Sequence, residues 1–189
     1  MGWPAFGCES CRPEVSELLA EKLVIKNEAS VEINAGIEEV FDYTTTRVAE
    51  WSSIVVEEEV IEEVAGGVGT RFRCVTEEHG KRMEFDGLVT VNDRPRAHTV
   101  ELVGKFFDIE AAYSFEDLDS RRTRLTQKSQ VTGKGLFKLM LWAMSLLPSK
   151  KACEAGEKEL GRLAELIESG AGAGDSASGS GEASEESAS

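Results

Sequence analysis

Residues 30–52 read S-V-E-I-N-A-G-I-E-E-V-F-D-Y-T-T-T-R-V-A-E-W-S. Val31 and Ile33 alternate with Glu32 and Asn34, the period-two pattern of a half-buried strand. Ile37, Val40, Phe41 and Thr44 then recur at helical spacing, with Glu38, Glu39 and Asp42 between them. A strand therefore passes through the small residues Ala35 and Gly36 into an amphipathic helix, and the segment closes on Trp51. Beyond it, runs rich in Val, Ile, Phe and Thr recur at 54–64, 69–78, 81–92, 97–103, 106–116 and 122–132. Between them stand A-G-G-V-G, E-H-G-K, N-D-R-P-R, G-K and E-D-L-D-S-R, all of them turn chemistry. From 134 to 168 the period becomes helical. Leu136, Leu139, Met140, Ala143, Met144 and Leu147 form one stripe, continued by Cys153, Leu160, Leu163 and Ile167, and Pro148 is expected to kink it.

The opening motif, carried by Glu38, Glu39, Val40, Phe41, Glu50 and Trp51, resembles the START-like helix-grip superfamily (SRPBCC), in particular its polyketide cyclase/dehydrase and lipid transport branch. Gly36 stands where that family usually has proline; either residue can begin a helix after a turn. The resemblance covers roughly residues 26–168. It implies an α+β fold: a seven-stranded antiparallel sheet wrapped around a long C-terminal helix, with two short helices after the first strand. The branch contains aromatic cyclases and dehydratases as well as noncatalytic carriers of lipids, quinones and hormones, so the fold alone does not choose between them.

A chain of 189 residues with 41% apolar content suits one domain, expected at 24–169. Residues 1–23 read as an arm with a short helix after Pro13. Residues 170–189 hold nothing apolar larger than alanine and read as a disordered acidic tail, which carries −4 of the net charge of −14. That charge repels phosphate, so neither nucleic acid nor an anionic membrane surface is an expected partner. The apolar run 136–147 contains Lys138 and falls short of the roughly 20 residues that span a bilayer, so no stable membrane insertion is expected. With no basic segment ahead of an apolar run at the N-terminus, a cytoplasmic location is expected. Cys8 and Cys11 form one C-x-x-C without the second pair that a tetrahedral zinc site needs. Neither a metal nor a cofactor is expected.

Period-two alternation names the side chains that line the sheet's inner face. Phe72, Cys74 and Thr76 fall there, as do Met83, Phe85, Gly87, Val89 and Val91, while Leu88 falls outside. The next strands add His98, Val100 and Leu102, then Phe107, Ile109, Ala111, Tyr113 and Phe115, then Thr123, Leu125, Gln127, Ser129 and Val131. Closing the hairpins with Leu102 opposite Phe107 and Phe115 opposite Thr123 puts His98, Ala111 and Gln127 in one row, with Tyr113 a diagonal step away. The expected pocket is thus apolar, walled by Phe72, Phe85, Val100, Ile109 and Leu125 and roofed by Met140 and Met144. Polar groups at His98, Tyr113 and Gln127 converge around a small Ala111. Three functions fit such a site. The leading one is noncatalytic binding or transport of a hydrophobic small molecule, such as a lipid, quinone or polyketide-like compound. The second is an aromatic polyketide cyclase/dehydratase using His98 and Tyr113 as acid/base. The third is an interaction module with a filled core.

Overall fold

The computed structural model describes residues 24–78, 80–135 and 150–170. Seven strands form one antiparallel sheet: β1 (Val24–Ile33), β2 (Val55–Glu62), β3 (Arg71–Glu78), β4 (Lys81–Asp93), β5 (Ala97–Gly104), β6 (Phe107–Asp119) and β7 (Arg122–Gly133). Their order is β1-β7-β6-β5-β4-β3-β2, so the first and last strands pair and β2 is an edge. Two short helices, α1 (Ile37–Thr46) and α2 (Val48–Trp51), carry the chain from β1 to the far edge, and α3 (Lys150–Glu168) follows the sheet. This is the helix-grip α+β architecture.

Gly36 caps α1 in an extended conformation at φ −68°, the value a proline ring imposes, so glycine here gives up rigidity without changing the path. Glu38 and Glu39 in the first turn suit the positive end of the helix dipole. At the other end, Thr44, Thr45 and Thr46 donate to the carbonyls of Val40, Phe41 and Asp42 at 2.6, 2.9 and 2.7 Å. Those bonds satisfy three hydroxyls on the helix itself and let Thr44 sit buried among hydrophobic side chains. Trp51 ends α2, 2% exposed, with its indole N–H donating to the Thr44 carbonyl at 3.1 Å. One buried residue thus ties the two helices together.

The sheet must curl. The α1–α2 corner touches β6 through α1 and β2 through α2. Inside the curl lie two apolar clusters. The first joins Ile33, Phe115 and Leu125 of the sheet to Val40, Phe41 and Trp51 and to Leu160, Leu163, Ala164 and Ile167 of α3. There Gly156 comes so close to Ala29 that a β-carbon on it would lie 3.2 Å from the alanine methyl. The second cluster covers the inner face of β3 to β6 with Phe72, Cys74, Phe85 and Val89. The Phe72 ring occupies the place of a β-carbon at Gly87, and the Phe85 ring does the same at Gly104. Each glycine thus makes room for the ring packed against it.

Three expectations need correction. Leu102 pairs with Ile109 and Phe115 with Leu125, each two residues from the expected register. The β5–β6 turn is wider than a tight hairpin, spanning 104–107 between the pair Val103 and Asp108, with the Gly104 N–H donating to Asp108 Oδ1 at 3.2 Å. The β6–β7 turn is tighter, two residues long, with a bulge before it at Leu118. A slip of two keeps every side chain on its expected face but changes its neighbours. Val91 points outward, 40% exposed, because an extra residue at Thr90 reverses the alternation beyond Val89. Finally, helix does not begin at 134: the Lys134 N–H donates to the Phe106 carbonyl, and Gly135 takes φ +53°.

Candidate functional site

Across the inner face, Asn92, His98, Tyr113, Gln127 and Ala29 stand opposite one another in a single row. Tyr113 therefore occupies the place expected for Ala111, which lies instead between Val100 and Ser129. The row divides the two apolar clusters. Phe72, Phe85, Val100 and Ile109 belong to the second cluster, the last two half-buried. Leu125, expected in the pocket wall, is fully buried in the first cluster beneath the helices and is core. The expected roof, Met140 and Met144, lies outside the described residues, as do Cys8, Cys11, Pro148 and the side chain of Cys153.

His98 is held by neutral groups. Asn92 Nδ2 donates to the Gly66 carbonyl at 3.1 Å, which turns the amide oxygen toward His98 Nδ1, 3.1 Å away. The imidazole proton therefore sits on Nδ1 and the lone pair on Nε2. The Phe41 ring meets the imidazole edge-on at 6.1 Å. Burial lowers the His98 pKa, so the ring is neutral near pH 7.

Tyr113 is the member of the row that meets the helices. Its ring meets Trp51 edge-on at 6.4 Å, and Gln127 Nε2 donates to its hydroxyl at 3.2 Å. Burial pushes its pKa above the usual tyrosine value, and the charges of Glu159 and Glu58 push it further, so the phenol keeps its proton. Glu159 belongs to α3 and is anchored by Ser52 Oγ at 2.8 Å, the Ser53 N–H at 2.9 Å and Ser53 Oγ at 3.3 Å. Glu58 stands opposite Cys74 on the inner face of β2. Its side chain is exposed, and desolvation by the protein around it raises its carboxyl pKa. Cys74 is a buried free thiol, its pKa pushed up to about 11 by burial and by Glu58, and so is not a nucleophile.

Two open clefts border this face. One, of about 400 Å³, is lined by Met83, Phe85 and Phe107 beside Arg82 and Lys105. The other, of about 230 Å³, lies between α2 and β2 and is lined by Arg47, Val48, Glu50, Glu58 and Val60. Among the described residues, no group of three or more His, Cys, Asp or Glu side chains is placed to hold a metal, and no helix is long and apolar enough to cross a membrane.

Sequence reading missed Glu58, Glu159, Asn92 and the role of Trp51 as a wall. Glu58 left none that alternation records, because the bulge at Val56 is what puts it on the inner face opposite Cys74. Glu159 left none, because its position depends on how α3 docks.

Residues 24–168 match the family described as polyketide cyclase/dehydrase and lipid transport. No curated protein matches the chain. Among solved structures it is similar to a Thermus thermophilus protein at TM-score 0.61 and 20% identity, covering 77% of this chain and 99% of that one. It is also similar to the Zhui aromatase/cyclase of a Streptomyces species (0.59, 14%, covering 76% and 96%). A START superfamily protein of Mycobacterium smegmatis gives 0.57 and 17%, covering 77% and 94%. At these identities the structures speak for the fold alone, whereas the family match spans most of the chain: this protein belongs to the polyketide cyclase/dehydrase and lipid transport family.

Proposed function

We propose that the chain binds a hydrophobic small molecule between its curled sheet and its helices and holds it without turnover. The observation that carries this reading is the row His98, Tyr113 and Gln127, polar groups on an inner face whose neighbours Val100, Leu102 and Ile109 are apolar and only half-buried. Apolar area supplies affinity there and the row supplies orientation. A catalytic reading has one point in its favour: neutral His98 offers Nε2 as a base toward an enolisable carbonyl, with Tyr113 as proton donor. Against it, no carboxylate among its hydrogen-bond partners raises the basicity of His98, and burial lowers it.

An environment-sensitive neutral dye such as N-phenyl-1-naphthylamine tests the reading. It is expected to bind at micromolar concentration, and Val100→Trp is expected to block it by filling the space above the second cluster. Circular dichroism checks that the variant folds. A folded Val100→Trp protein that binds the dye as the parent does would leave the interaction module as the better description. Turnover of a polyketide-like β-diketone, lost in His98→Ala, would establish the cyclase/dehydratase instead.

A further inference from the structure

Four serine and threonine side chains are buried among the described residues, and three of their hydroxyls donate within the chain. Thr44 bonds the Val40 carbonyl at 2.6 Å, Thr123 the Ala35 carbonyl at 2.9 Å and Ser52 the Glu159 Oε1 at 2.8 Å. Thr76 is the exception. It is 5% exposed, and its Oγ1 is the one buried side-chain nitrogen or oxygen without a hydrogen-bond partner among the described residues. A buried hydroxyl left unbonded costs free energy that a valine of the same shape would spare. Thr76 shares the inner face of β3 with Phe72 and Cys74. Its ladder neighbours are Val55 on β2 and Met83 on β4, both half-buried and packed against the second cluster. Met83 lies beyond the last pair of the β4–β5 ladder, Phe85 with Gly104, and lines the 400 Å³ cleft together with Phe85 and Phe107. The orphan hydroxyl thus stands one ladder position from the wall of an open cleft.

Resting on the binding reading above, we infer that Thr76 is a specificity-determining residue: its hydroxyl bonds a neutral oxygen, a carbonyl or a hydroxyl, on a hydrophobic ligand lying over Met83 and Phe85. A carbonyl accepts the Thr76 proton, and a hydroxyl either accepts it or donates its own. Between Val55, Met83 and Cys74, such an oxygen gains a bond without bringing a charge out of water. Met83, unbranched and adaptable, can shift to admit the ligand to Thr76. The second cluster supplies apolar area, and Thr76 selects among ligands by whether they carry that oxygen.

The test holds the apolar body constant and removes the oxygen. The full chain is titrated with prodan, a neutral naphthyl ketone dye, and with its carbonyl-free counterpart 6-propyl-2-(dimethylamino)naphthalene. Thr76→Val is expected to weaken prodan by about threefold to tenfold, the effect of one hydrogen bond, and to leave the carbonyl-free dye unchanged. Emission of the bound prodan should move to shorter wavelength as the ketone loses its donor. Thr76→Ser, which keeps the hydroxyl, should keep the preference for prodan. Without ligand, Thr76→Val should melt no lower than the parent; a lower melting temperature would mean that the chain itself bonds the hydroxyl, and overturns the inference. Equal losses for the two dyes, no loss for either, or no binding of prodan to a chain that takes up N-phenyl-1-naphthylamine also overturns it and leaves the binding site standing. If neither dye binds and Val100→Trp does not block N-phenyl-1-naphthylamine, the reading beneath it falls as well.

Discussion

His98 faces a fixed amide oxygen on one nitrogen and an aromatic edge beside it, so a second proton brings desolvation and no partner. Its folded-state pKa therefore lies below the ordinary value of 6.5, and as pH falls the unfolded chain takes up the proton first. Stability contributed by the neutral ring is then full above pH 6.5 and is lost as pH drops below it, until the folded form protonates too. The expected outcome is an NMR titration midpoint for His98 below 6.5, and a pH slope of unfolding free energy from about pH 7 to about 5.5 that flattens in His98→Gln. A midpoint above the ordinary value would mean that a carboxylate reaches the ring. The raised pKa of Glu58 acts with the opposite sign, favouring the folded state only once pH falls into the carboxylate range.

Among the elements, β2 is the exposed edge, and Val56, Val60 and Ile61 stand 48%, 58% and 65% exposed along it. Such a strand invites pairing with another chain unless charge prevents it. Glu57 is taken up by Arg73 and Arg82 at 2.9 and 2.6 Å, which leaves Glu59, Glu62 and Glu63 to repel an approaching strand. Replacing those three with glutamine should produce dimers or larger species by light scattering at concentrations where the parent is monodisperse. Unchanged monodispersity would place the protection in the strand's two bulges instead. Strands were legible from the sequence because period two survives wherever one face is buried: β3, β5 and β7 show Phe72 and Cys74, Val100 and Leu102, and Thr123 and Leu125 on the expected face. What failed was register. It depends on turn length and on single bulges at Val56, Thr90 and Leu118, which alternation does not record.

For the whole molecule, the order of elements was readable from the residues, whereas the site's far wall was not. Trp51 meets Tyr113, and Glu159 meets Ser52 and Ser53, only after the sheet curls and α3 docks on β1. The buried clusters draw on residues from Ala29 to Ile167. A chain trimmed to 24–169 is accordingly expected to melt within error of the full chain, as calorimetry would show. A lowered or broadened transition would assign part of the core to the first 23 residues. The extra residue at Thr90 gives β4 something like a shift of reading frame: before it the odd-numbered side chains face the interior, and after it the even-numbered ones do. Pairing Thr90 with Thr99 as an ordinary residue, without the bulge, would translate the rest of the strand differently. Val91 would be read into the interior and Asn92 out of it, and His98 would lose the neighbour that fixes its tautomer.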